Sequence, residues 1–149
     1  TLCRFAPGDV LLLQNEVNGI PYLIRQAVRR GLRVAFNAAP MAPEVADYPL
    51  ELLSWLVINE GEGAALAGTQ APADILDRLA QRCPDTQLLL TLGAGGSVCR
   101  AGGETWSCGV FPVRPVDTTA AGDTIPLLEE VRAALAAGSL GEMGKGASL

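Results

Sequence analysis

The sequence contains no histidine, and aromatic residues make up only 5% of its 149 positions. Without an imidazole, the Ser-His-Asp and Cys-His catalytic arrangements, His-ligated zinc and the commonest general base are excluded. Proton transfer falls to carboxylate, Lys, Tyr or Cys. Basic residues are also scarce: eleven Lys plus Arg stand against sixteen Asp plus Glu, for a formal charge of −5 and a pI near 4.6. No basic cluster is present, so a nucleic-acid groove, which needs cations to displace phosphate counterions, is not expected. The longest apolar runs, such as Val10-Leu11-Leu12-Leu13, fall far short of the ~20 residues that span a bilayer. No cationic leader precedes an apolar stretch, and no membrane partner is expected.

Cysteine is limited to Cys3, Cys83, Cys99 and Cys108, with no C-x-x-C pair. A chain of this length does not need covalent staples, and the four read as reduced thiols in a cytoplasmic protein. With 49% hydrophobic and 18% charged residues, the composition is that of one globular domain. Such a chain can bury roughly 68–70% of its unfolded surface. The first residue is Thr1 rather than Met, and a start inside a longer reading frame is expected.

Short apolar runs alternate with amphipathic stretches, the pattern of a parallel sheet covered by helices. Val10 to Gln14 reads as a strand buried on both faces. Ile20 to Arg30 reads as a helix with Leu23, Ile24, Ala27 and Val28 inward and Gly31 as its stop. Strands are expected at Arg33 to Phe36, Trp55 to Ile58 and Gln87 to Leu92. Helices are expected at Glu60 to Ala67, closed by Gly68, and from Pro72 with Ile75, Leu76, Leu79 and Ala80 as the core stripe. After Gly93 the glycine pairs Gly95-Gly96 and Gly102-Gly103 punctuate short strands at Ser97 to Arg100 and Glu104 to Val110, which predicts an antiparallel edge hairpin. A last helix is expected near Asp123, within a domain spanning 1–137, and 138–149 are expected to be a frayed tail.

The most informative segment is Val116-Asp117-Thr118-Thr119-Ala120-Ala121-Gly122-Asp123-Thr124, where small residues lead into that last helix. Backbone N–H groups there can converge on an anion, assisted by the helix dipole. Asp123 would sit beside an arriving phosphoryl group, able to take a proton from an attacking hydroxyl. It reads equally as an N-terminal helix cap, and spacing alone leaves both open.

Asp117 to Thr124 resembles the second signature of the ribokinase, or phosphofructokinase-B type, family of carbohydrate kinases, whose D-T-x-A-A-G-D-T core is quite specific. Other parts agree in the family's order. Asn59-Glu60-Gly61-Glu62 is similar to its N-x-x-E motif, and Thr91-Leu92-Gly93-Ala94-Gly95-Gly96 resembles its nucleotide loop. Leu13-Gln14-Asn15-Glu16 and Asn37-Ala38-Ala39-Pro40 look like the ribose-specific members. The resemblance runs from about Asp9 to Thr124.

It implies an α/β fold with a Rossmann-like, doubly wound parallel sheet, incomplete here, and ATP-dependent phosphoryl transfer to a sugar hydroxyl, D-ribose giving D-ribose 5-phosphate. Asp123 would be the catalytic base, and Ala120, Ala121 and Gly122 the anion hole. Asn59 and Glu62 would hold magnesium and its waters near the ATP phosphates. Thr91, Gly93, Gly95 and Gly96 would line the nucleotide, Glu16 would contact the sugar, and Asp117 with the Thr119 carbonyl would belong to a potassium site. Each has a plainer alternative: Glu62 as a residue suited to a helix start, the glycines as hairpin turns, Glu16 as a solvated loop acid, and Asp117 in an Asx-type turn. The glycines match neither G-x-G-x-x-G nor a Walker A sequence. Cys83 and Cys99 fall in segments expected to be core or edge and read as packing residues.

A full-length member is about twice this long. The resemblance places its first strands, its lid and most sugar contacts upstream of Thr1, and its adenine-contacting segment downstream, where this chain has Ile125-Pro126-Leu127-Leu128 and a glycine-rich end. Little or no turnover by the isolated chain is therefore expected. The other reading is a non-catalytic remnant or nucleotide-binding module, related to fructokinases or adenosine kinases, whose exposed edges invite pairing into a homodimer.

Overall fold

The computed structural model describes residues 4–109. Strands β1 (Val10–Gln14), β2 (Arg33–Asn37), β3 (Trp55–Asn59) and β4 (Gln87–Thr91) pair in parallel, and β5 (Ser97–Ala101) and β6 (Glu104–Cys108) extend the sheet antiparallel. Their order in space is their order in sequence, β1-β2-β3-β4-β5-β6. Parallel strands cannot be joined by tight turns, so each needs a crossover. Helix α1 (Ile20–Arg29) joins β1 to β2, two short 3-10 turns (Pro43–Asp47 and Leu50–Leu52) join β2 to β3, and α2 (Glu60–Ala67) with α3 (Pro72–Arg82) joins β3 to β4. With right-handed crossovers and no reversal of order, these connections share one face of the sheet.

The side chains confirm that placement. Leu13, Phe36, Leu56 and Leu88 lie in one row across four strands, and Ile58 and Leu90 in the next. All pack in a single core with Ile20, Ile24 and Ala27 of α1 and Ile75, Leu76 and Leu79 of α3. Burying each large side chain of this kind contributes roughly 1.5–3 kcal/mol. The stripe of α1 differs from its sequence expectation: Ile20 is in the core, Leu23 is only partly buried and Val28 is exposed. At 100° per residue, Ile20, Ile24 and Ala27 share a face whose rim Val28 occupies.

The opposite face is apolar as well. Ala35, Trp55, Val57 and Leu89 are buried there, as in parallel sheets covered on both sides. The Arg33 guanidinium lies 4.8 Å from the Trp55 ring centroid, and the Trp55 indole donates to Gln87 Oε1 at 3.0 Å. Leu12 corrects the expectation that β1 is buried on both faces: it is 42% exposed, because β1 is the outermost strand among the described residues.

The edge hairpin is present as expected, closed by Gly102 and Gly103, both at positive φ, as a two-residue turn of the kind that matches strand twist requires. The two 3-10 turns between β2 and β3 lie in a stretch for which the sequence pattern predicts no helix or strand. The expected last helix and the tail 138–149 lie outside the described residues. Among the described residues no helix is long and apolar enough to cross a membrane.

A Cβ at Gly63 would lie 2.8 Å from Ile75 Cγ2 and 3.3 Å from both Ile58 Cδ1 and Leu90 Cδ1, so α2 rests on β3 and β4 with no space for a side chain. Gly63→Val should lower unfolding free energy by about 1–3 kcal/mol in urea titration. Burial pushes the Cys83 and Cys99 thiols up, and burial together with Glu44 pushes up the Tyr48 phenol. The folded state thus holds these protons more tightly, so their contribution is complete below the ordinary thiol range and is lost as pH rises through the raised values. Melting temperature should fall as pH is taken above about 9, and less steeply in Cys83→Ala/Cys99→Ala.

Candidate functional site

A parallel strand can be left only at its carboxyl end. The chain leaves β1 at Asn15-Glu16, β2 at Ala38, β3 at Asn59 and β4 at Leu92, all along one edge of the sheet. Open α/β sheets bind ligands beyond this edge. Of the residues singled out in sequence, the fold brings Glu16, Asn59, Glu62, Thr91, Gly93, Gly95 and Gly96 to it. Asp117, Thr119, Ala120, Ala121, Gly122 and Asp123 lie outside the described residues.

Asn59 ends β3 directly opposite Thr91 at the end of β4. Its side-chain Oδ1 accepts the Glu62 N–H at 2.9 Å, and Glu62 Oε2 accepts the Asn59 N–H at 2.9 Å. This reciprocal capping box satisfies donors that a helix start leaves without intrahelical partners. It also holds a carboxylate only 6% exposed at the sheet's carboxyl edge. The helix-start reading of Glu62 is therefore met in full. The same two groups supply hard oxygen donors, the type magnesium takes while retaining most of its waters. The donor set thus fits a hydrated magnesium. Among the described residues no cluster of three or more His, Cys, Asp or Glu forms a closed metal cage.

The loop after β4 turns through a short 3-10 segment, Gly93–Gly95. The Gly95 N–H donates to the Leu92 carbonyl at 2.8 Å, and the Leu92 N–H to the Gly96 carbonyl at 2.8 Å. At Gly96, φ is +88°, and a Cβ would lie 2.0 Å from the Cys108 carbonyl oxygen. Only glycine fits where β6 crosses this close, so the hairpin reading accounts for Gly96 by itself. Gly93 is different: φ is +52°, yet a Cβ there would meet open space. Nothing in the described structure crowds that position, and it leaves the loop's outer side accessible beside Thr91.

Glu16 lines a separate cavity of about 240 Å³ between the loops that follow β1 and β2, with Asn18, Met41, Ala42 and Glu44. Two further residues there, Asn15 and Tyr48, were not singled out from sequence. The Asn15 N–H donates to the Ala39 carbonyl at 3.0 Å, Asn15 Nδ2 donates to the Pro40 carbonyl at 2.8 Å, and the Tyr48 hydroxyl donates to Asn15 Oδ1 at 3.1 Å. Asn37, buried at the end of β2, accepts the Ala39 N–H through Oδ1 at 3.2 Å and shapes the bend before the cis Ala39-Pro40 bond. With its pKa raised, the Tyr48 phenol remains a hydrogen-bond donor at neutral pH. Asn15 stands in the stretch Leu13-Gln14-Asn15-Glu16, where the resemblance assigns a role to Glu16 alone. Tyr48 stands in no motif.

Comparison with known proteins identifies the family. The model of the pfkB family of carbohydrate kinases matches residues 23–140. Ribokinase of Haemophilus influenzae is 32% identical over 127 residues, covering 81% of this chain and 41% of that protein. Among solved structures, Arabidopsis thaliana ribokinase complexed with ribose and ATP matches with a TM-score of 0.62 at 30% identity, over 93% of this chain and 51% of that one. A fructokinase of Vibrio cholerae, solved with fructose, ADP and calcium, matches with a TM-score of 0.66 at 24% identity, over 80% of this chain and 44% of that one, and bears on the fold alone. The chain spans about two fifths of the length of the Haemophilus relative. With the family model matched over residues 23–140, and Asn59, Glu62, Thr91 and Gly93 on the carboxyl edge of an α/β sheet, the chain belongs to the pfkB family of carbohydrate kinases.

Proposed function

We propose that this chain is the nucleotide-handling part of an ATP-dependent sugar kinase, with D-ribose as the acceptor. The observation that carries the reading is the convergence, on the adjacent ends of β3 and β4, of the Asn59–Glu62 capping box and the loop from Thr91. In this reading Thr91, Gly93 and Gly95 lie along the nucleotide and Glu16 accepts hydrogen bonds from the sugar hydroxyls. The acceptor hydroxyl attacks the γ-phosphorus, its proton passes to the Asp123 carboxylate, and ADP leaves with the electrons of the broken P–O bond. Backbone N–H groups of Ala120, Ala121 and Gly122 stabilise the charge on the transferring group, since such transfer depends on positioning and electrostatics. Glu62 and Asn59 would hold magnesium through water, and the ion, when bound with ATP, neutralises phosphate charge. Asp117 and the Thr119 carbonyl would contribute to a potassium site. The ribose and ATP held by the Arabidopsis relative support this choice of ligands.

The test is ADP formation with ribose, ATP, magnesium and potassium, by this chain and by a version joined to the upstream half of a full-length relative. The isolated chain should show little turnover and the joined protein substantial turnover. Asp123→Asn should lower the latter by about 10²–10⁴-fold; equal rates would reject the base. Glu62→Gln, which retains an acceptor for the Asn59 N–H, should leave the melting temperature nearly unchanged while weakening ATP-magnesium binding. Unchanged binding would leave Glu62 a capping residue alone.

A further inference from the structure

We propose that Tyr48 is a positioning residue for the acceptor, acting through Asn15 to fix the loop that carries Glu16. The inference rests on the reading of Glu16 as a sugar contact.

Asn15 is the residue at which the chain leaves β1, and its backbone and side chain are both tied to the loop after β2. The backbone N–H donates to the Ala39 carbonyl and Nδ2 donates to the Pro40 carbonyl. A carbonyl can only accept, so the amide is oriented with Oδ1 away from Pro40. That oxygen receives the Tyr48 hydroxyl at 3.1 Å. With all three bonds made, the peptide leading into Glu16 is held at its start, and Glu16 joins the cavity wall from a fixed origin.

Tyr48 is itself anchored from several sides. Its ring lies 5.9 Å from that of Phe36, a fully buried residue of β2. It follows the 3-10 turn Pro43–Asp47, whose Ala46 carbonyl accepts from the Arg82 guanidinium at the end of α3. The hydroxyl therefore approaches Asn15 from a frame fixed by the sheet and α3. Placement of catalytic or binding groups to within a fraction of an ångström depends on such support.

Tyr48→Phe removes the hydroxyl and keeps the ring on Phe36. The measurement is calorimetric titration of the full chain with D-ribose and, separately, with ATP and magnesium, for wild type, Tyr48→Phe, Glu16→Ala and the double variant. We expect Tyr48→Phe to weaken ribose binding by about threefold to tenfold, the loss of one net hydrogen bond. ATP-magnesium binding should stay within about twofold, and Tyr48→Phe should have almost no further effect on ribose in the Glu16→Ala background. Unchanged ribose binding, equal weakening toward both ligands, or equal weakening in both backgrounds would overturn the inference. Failure of wild type to bind ribose while binding ATP-magnesium would overturn it too, and would leave the nucleotide reading standing.

Discussion

Parallel pairing is the constraint from which the rest of this structure descends. Four strands running the same way must each release the chain at the same edge, and four loops from distant parts of the sequence meet there. Asn15, Ala38, Asn59 and Leu92 are separated by 77 positions from first to last (92 − 15), yet all are edge residues of one sheet. The apolar rows that lock the register, Leu13 to Leu88 and Ile58 to Leu90, thereby also set which polar residues face one another. A one-residue slip between β3 and β4 would separate Asn59 from Thr91 and turn the leucines of β4 out of the core.

The same edge supports two kinds of polar arrangement. Asn59 and Glu62 satisfy each other within a single helix start, so they come into position as soon as α2 forms. Asn15, Pro40 and Tyr48 join three segments, and depend on β1, β2 and the turn before β3 all being docked. The first is local and robust. The second is an outcome of tertiary packing, and it leaves a cavity beside Glu16 instead of filling it.

This difference explains what the sequence disclosed. Strands β1 to β4 and both helices between β3 and β4 were legible because apolar runs and helical stripes are local patterns, and Gly68 and Pro72 mark boundaries that backbone geometry enforces. The suitability of Glu62 for a helix start was legible for the same reason, whereas its reciprocal bonding with Asn59 emerged only from the structure. The rim position of Val28 and the exposure of Leu12 were not, because each depends on which neighbours lie beside the element. Tyr48 was invisible: its partner is 33 positions away, and neither residue belongs to a periodic pattern. Gly96 shows the reverse case, a residue singled out for binding whose close approach to Cys108 already demands glycine.

The proposed docking of a magnesium-bound nucleotide on the carboxyl edge, at the ends of β3 and β4, is open to direct observation. Amide chemical shifts of the isotopically labelled chain, followed during addition of ATP and magnesium, test it most directly. Docking there should concentrate the changes at Asn59 to Glu62 and Thr91 to Gly95, with Gly8, Gly31, Ser54 and Thr86 at the opposite edge unmoved. Changes centred on that opposite edge, or none at saturating nucleotide, would contradict it.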